Sequence, residues 1–140
     1  MLKLIVDTGP LVALFDSSDL HHSRAVEFVS LSKSPLGTTL PVITETMFLL
    51  DFSVLAQRDF LCWIHQGGLQ VVELSSNDFK RTSELMMKYA SVPMDFADAT
   101  IVAVCERQQT REIVTTDSDF KIYRCMNKLP FVNLFDKVPH

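Results

Sequence analysis

PMDFADATIVA, residues 93–103, reads as the opening of a helix that is apolar on nearly every side. The spacing predicts a helix over residues 95–109 in which Asp98, Ile101, Val102 and Cys105 share one face, while Ala97, Ala99, Ala103 and Val104 fill most of the rest. A helix apolar all round belongs inside the protein, covered by other layers. Asp95, after Pro93, reads as its N-cap. Asp98 is the anomaly. A buried carboxylate is costly unless it is hydrogen-bonded, paired with a cation or bound to a metal, and no Lys or Arg lies within three residues of it. Its partner has to come from another part of the chain.

Outward from this helix, short apolar runs alternate with helical segments. LKLIV, residues 2–6, reads as a buried strand that stops at Asp7-Thr8-Gly9-Pro10 and continues into the helical LVALF, with Pro10 in the first turn. A helix over about residues 20–32 places Ala25, Phe28, Val29 and Leu31 inward, with His21 and His22 at the surface. Pro35 and Gly37 break it, the strand TTL follows, and Pro41 opens a second apolar helix, VITETMFLL, in which Glu45 stands beside the apolar stripe without a basic neighbour. A helix over residues 53–66 packs Val54, Leu55, Phe60, Leu61, Trp63 and Ile64 and ends at Gly67-Gly68. LQVVEL, residues 69–74, is a strand, and Ser75 starts an amphipathic helix through Phe79, Leu85, Met86 and Tyr89, its methionines filling core gaps. EIVTT, residues 112–116, leads into Asp117-Ser118-Asp119-Phe120, and FVNLF, residues 131–135, is the last strand. Alternation of this kind predicts an α/β fold with a parallel sheet and helices on both faces, formed as one domain over residues 1–140.

Composition narrows the class. With 47% apolar residues, 21% charged residues and four glycines, the chain can bury a core and has no low-complexity tract. Lys3 and Asp7 interrupt the apolar start, so neither a signal peptide nor a membrane span is expected, and a cytoplasmic protein is. Cys62, Cys105 and Cys125 are odd in number and lack a CxxC pair, which argues against a disulfide frame or zinc cluster. Cys62 and Cys105 read as buried small hydrophobes. A net charge of −4 offers no basic footprint for nucleic acid. Against that, several acids converge on one place that a metal could neutralise, and Lys121, Arg124 and Lys128 make a local basic patch.

Asp7 and Asp117 each end an apolar strand, and Glu45 and Asp98 stand near the starts of helices, positions that crowd one edge of a doubly wound sheet. Four carboxylates brought together repel unless a cation holds them. An all-oxygen site suits magnesium or manganese rather than zinc, and the matching chemistry is metal-assisted hydrolysis of a phosphodiester. Thr8, Thr116 and Asp119 are candidates for orienting the set.

IVDTGPLVALF, VITETMFLL, DFADATIVAV and IVTTDSDF, in that order over essentially the whole chain, resemble the PIN-domain ribonucleases, in particular the VapC toxins of bacterial and archaeal VapBC toxin-antitoxin pairs. The resemblance implies a three-layer α/β/α fold with a mainly parallel sheet and a Mg2+- or Mn2+-dependent ribonuclease. It places the family's acids on Asp7, Glu45, Asp98 and Asp117, with Thr8, Asp95, Thr116 and Asp119 supporting them. It also implies an RNA substrate, a homodimer and an antitoxin partner whose tail covers the active site. The family includes unpartnered and RNA-processing enzymes, and a PIN-like module that binds RNA or protein without cutting is the non-enzymatic alternative. Asp7-Thr8-Gly9 also matches the aspartic-protease tripeptide, but such enzymes need two copies in a β-rich setting. A phosphatase built on Asp7 would want a second aspartate where this chain has Gly9.

Overall fold

The strand at the middle of the sheet, β1 (Leu4–Val6), is fully buried in the computed structural model, which describes residues 3–139. Leu2, the first residue of the expected strand, lies outside the described residues. After β1 come α1 (Thr8–Phe15), α2 (His22–Leu31), β2 (Leu36–Thr38), α3 (Leu40–Leu49), α4 (Val54–His65) and β3 (Gln70–Val71). Then follow α5 (Ser76–Lys88), α6 (Phe96–Gln108), β4 (Glu112–Val114), the antiparallel pair β5 (Arg124–Cys125) and β6 (Leu129–Pro130), and β7 (Val132–Asn133). The main sheet has the order β3-β2-β1-β4-β7, and every neighbouring pair in it is parallel. Helices flank this sheet in a three-layer α/β/α arrangement, the expected class.

Burial on both faces explains the near-continuous apolar character of the central strands. In β1 and β4, Ile5 pairs with Ile113 and Val6 with Val114, and all four side chains are inaccessible or nearly so. Helix α6 is the inner helix its composition demands: every residue from Ala97 to Cys105 is buried. Asp95 caps it, its Oδ1 accepting from the Asp98 amide at 2.8 Å, and Gln109 ends it in the left-handed conformation. Thr39 and Thr100 share a buried hydrogen bond of 2.7 Å that ties the start of α3 to α6.

Edges and outer helices depart from the expectations. The strand expected at TTL is LGT, so Gly37, expected in the break after the preceding helix, lies inside the ladder, where a Cβ would crowd the Lys3 side chain. LQVVEL shortens to Gln70–Val71 and FVNLF to Val132–Asn133, because each outer strand is paired on one side only. In α4 only Phe60 is fully buried, whereas Val54, Leu55 and Leu61 are exposed, as are Leu31 of α2 and Met87 of α5. Cys62, expected in the core, lies on the exposed side of α4; Cys105 and Cys125 are buried. His21 and His22 are half-buried rather than surface residues, and the His22 ring sits 2.7 Å from the Ala13 carbonyl, pinning α2 to α1.

Candidate active site

Strand order places the acids. From β1 the chain winds outward through β2 and β3, then crosses back to lay β4 and β7 on the other side of β1. The carboxyl ends of β1 and β4 therefore flank the point where the winding reverses, where open α/β sheets bind ligands. Asp7 is the first residue past β1, and its amide continues the ladder by donating to Val114 O at 2.8 Å. Asp117 stands three residues past β4, at the start of a short 3-10 turn (Ser118–Lys121). Asp98, in the first turn of α6, completes the group. One carboxylate oxygen from each of Asp7, Asp98 and Asp117 lies within 4.8 Å of the other two.

Neutral donors hold these three acids in place. The Thr115 hydroxyl donates to Asp7 Oδ2 at 2.7 Å and accepts from the Asp117 amide at 2.9 Å, so one buried side chain fixes both strand ends. Asn133 of β7 grips Thr115 in turn: its Oδ1 accepts from the Thr115 amide and its Nδ2 donates to the Thr115 carbonyl. Tyr123, fully buried between Tyr89 and Phe120, donates its hydroxyl to Asp98 Oδ2 at 2.9 Å. This is the partner that Asp98 requires. It is a neutral one and supplies no counter-charge to the ionised form.

Burial pushes the Asp98 carboxyl up to about 8, the charges of Asp7, Asp95 and Asp117 adding to the effect and the Tyr123 hydroxyl opposing it. Burial likewise lifts Asp7 to about 6, opposed by its hydrogen bonds to Thr115 and the Thr8 amide and assisted by Asp117 and Glu45. Burial also raises the Tyr123 phenol, with Asp98 contributing, so it remains a proton donor. Among the described residues, the one buried side-chain oxygen or nitrogen without a hydrogen-bond partner is Thr8 Oγ1, beside Asp7. Three converging carboxylates, an orphaned hydroxyl and, among the described residues, no cationic side chain in hydrogen-bonding contact with the acids fit a hard divalent ion that takes oxygen ligands and water.

The same shifts set a stability prediction. Both carboxyls hold protons in the folded chain at pH values where the unfolded chain, at 3.8, has released them. Stability of the ion-free protein is therefore greatest at low pH with respect to these groups and falls as pH rises from about 4 to about 8. Thermal denaturation in EDTA should give a lower melting temperature at about pH 8 than at about pH 5.5, and added Mg2+ should raise it more at the higher pH. An ion-free melting temperature that climbs across this window contradicts the arrangement.

The other expected residues are placed as follows. Glu45 is half-buried on α3 and outside the three-acid group, near enough to raise Asp7. Asp95 is exposed and serves as the N-cap of α6. Asp119 is half-buried in the 3-10 turn, and its amide donates to Asp117 Oδ1 at 2.9 Å. Thr116 is exposed and does not reach Asp7; Thr115 holds that position, and Thr116 instead closes over Gly9, where a Cβ would collide with its Oγ1. Thr115 and Tyr123 are site residues that no pattern in the sequence points to. The Thr115-Thr116 doublet contained the first, but nothing in it says which hydroxyl faces β1.

The family model for the PIN domain matches residues 4–124. The chain belongs to the PIN-domain family. This PIN domain is 26% identical over 116 residues to Ribonuclease VapC26 of Mycobacterium tuberculosis, a match spanning 81% of this chain and 86% of the relative. Its fold is similar to the crystal structure of Mycobacterium tuberculosis VapC20, described as a sarcin-ricin loop cleaving toxin, with a TM-score of 0.75 and 21% identity, covering 86% of this chain and 94% of that one. It is also similar to a chain of a toxin-antitoxin complex from Klebsiella pneumoniae, with a TM-score of 0.65 and 20% identity, covering 84% and 90% of the two chains.

Proposed function

We propose that this PIN domain, formed by residues 1–140 as a single unit, is a divalent-metal-dependent endoribonuclease that hydrolyses RNA phosphodiester bonds and serves as the toxin of a toxin-antitoxin pair. The observation that carries the reading is the convergence of Asp7, Asp98 and Asp117 at the reversal point of the sheet. Asp7, Asp98 and Asp117 would hold Mg2+ or Mn2+, and the ion would supply water activation and charge stabilisation for phosphodiester hydrolysis. Thr115, Asn133 and Tyr123 orient the carboxylates, limiting the rearrangement needed when substrate arrives. Glu45, half-buried on α3 and near enough to raise Asp7, is assigned to the same acidic site as a fourth carboxylate, and Thr8, Asp95 and Asp119 to supporting positions.

The partner reading is supported by a groove of about 980 Å3 that starts at Glu45 and Asp95 and runs over Leu40, Phe48, Phe79 and Phe96. An apolar groove beside a polar site suits a protein segment, and an antitoxin tail lying there would cover the approach to the acids. The exposed Val54, Leu55 and Leu61 of α4 are the face assigned to a homodimer. Among the described residues no helix is long and apolar enough to cross a membrane, and the assigned compartment is the cytoplasm, where RNA substrate and antitoxin meet.

The test is RNA breakdown by the purified chain in Mg2+ or Mn2+, its arrest by EDTA and its return when metal is restored. Cleavage that continues in EDTA, or none with either metal in antitoxin-free protein, overturns the reading.

A further inference from the structure

A second, smaller pocket of about 190 Å3 opens beside Asp117, between α2 and the carboxyl ends of β4 and β7. Arg24 of α2 is one of its walls, although only 8% of that residue is exposed. Its guanidinium donates to the Phe135 carbonyl at 2.9 Å and to the Val138 carbonyl at 3.3 Å, meets His21 Nδ1 at 3.0 Å and lies 4.4 Å from the centre of the Phe135 ring. A guanidinium can only donate, so His21 accepts through Nδ1 and carries its proton on Nε2. All of these acceptors are neutral. Among the described residues no carboxylate lies within ion-pair distance of Arg24, whereas Arg58, Arg81 and Arg107 each have one.

A buried charge without a counter-ion is costly and marks a place where an opposite charge is expected from outside. Lys121 and the Ser118 hydroxyl line the same pocket. Two acids line it as well: Asp117, which belongs to the three-acid group, and Asp136, whose Oδ1 accepts from Asn133 Nδ2 at 3.4 Å. The larger groove on the other side of the acids differs in sign, since its ionisable walls are Glu45, Glu73 and Asp95 and it contains no Lys or Arg. A polyanion reaching the acids therefore meets only negative walls on the Glu45 side, whereas the Arg24 side offers two cations against Asp117 and Asp136, and an ion held by Asp117 would tip that balance to positive.

We propose that the Arg24–Lys121 pocket is an anion subsite that takes a backbone phosphate of the RNA flanking the scissile one, so that the substrate lies across the β4–β7 side of the site. The subsite rests on the ribonuclease reading and adds to it a direction for the strand. Of the basic patch in the sequence, Lys121 is the member that faces this pocket, while the Arg124 guanidinium donates to the carbonyls of Lys121, Ile122 and Tyr123.

The experiment measures kcat and KM for a labelled single-stranded RNA of mixed sequence at saturating Mg2+ over a series of KCl concentrations. Lys121→Ala should raise KM, leave kcat near wild type and make the dependence of log KM on log salt shallower by roughly 0.7, the contribution of one phosphate contact on a single strand. Lys121→Arg should retain the wild-type slope. Arg24→Lys, which keeps the charge but loses the fork, should raise KM in the same direction. Lys33→Ala, exposed before the amino end of β2 and away from the acids, should change neither value. If wild type cleaves and both Lys121→Ala and Arg24→Lys keep its KM and slope, or lower kcat alone, the subsite is wrong and the ribonuclease reading stands. If wild type cleaves nothing, both fall.

Discussion

Asp98→Asn is expected to lower metal-dependent RNA cleavage by roughly a thousandfold, the loss that follows when a site forfeits several kcal/mol of charge stabilisation at the reacting phosphate. The amide is nearly isosteric and its oxygen can still accept from Tyr123, so the change removes charge and leaves the packing of α6 in place. Stability should move the other way. At about pH 8 in EDTA the wild-type carboxyl ionises in a buried setting beside Asp7 and Asp117, a penalty the amide does not carry. The variant should melt at or above the wild-type temperature there and lose most of the stabilisation given by Mg2+. Cleavage within tenfold of wild type, or an undiminished response to Mg2+, contradicts the role given to Asp98.

Thr115→Val is expected to lower activity about 10- to 100-fold at moderate Mg2+, the range for residues that orient metal-holding carboxylates. Valine fills the volume of threonine but removes the donor to Asp7 and the acceptor for the Asp117 amide at once. Leaving such a buried group unsatisfied costs about 1–3 kcal/mol, so the melting temperature should fall as well. Because the Thr115 hydrogen bond opposes the upward shift of Asp7, its loss should move the pH dependence of activity to higher pH. Titration with Mg2+ separates the two variants: excess metal should restore much of the activity of Thr115→Val and almost none of that of Asp98→Asn. A valine variant with a wild-type Mg2+ requirement removes Thr115 from the site.

The parts of this molecule that were legible in the sequence were its anomalies. Asp98 stood alone on an apolar helix, and Asp7 and Asp117 each cut off an apolar strand; burial of the surrounding residues left those acids few places to go. The covered faces of the sheet followed from the same alternation: β1 is apolar and buried throughout, and in β4 Ile113 and Val114 are buried while Glu112 is exposed. Parity at a strand end was not legible. Thr115 and Thr116 are adjacent identical residues, and which one reaches Asp7 depends on the register of β4 against β1, where Val6 faces Val114. Nor was Tyr123 legible, because a tyrosine 25 residues from Asp98 has no sequence spacing that announces a contact. The exposed apolar positions of α4 and α5 have a related cause. Helical periodicity identifies a face that avoids water, and it reads the same whether that face meets the core or a partner.

Calorimetric titration of Mn2+ into the metal-free chain, with Mg2+ as competitor, addresses the acid cluster without requiring the RNA target. Wild-type protein should bind Mn2+ with Mg2+ competing for it, more weakly as pH falls from about 8 towards 6, since protons displace the ion from carboxyls raised in this range; Asp98→Asn should lose that binding. Equal Mn2+ affinity in the two proteins, or no binding by wild type at about pH 8, would contradict the claim that Asp7, Asp98 and Asp117 are held together to carry a divalent ion.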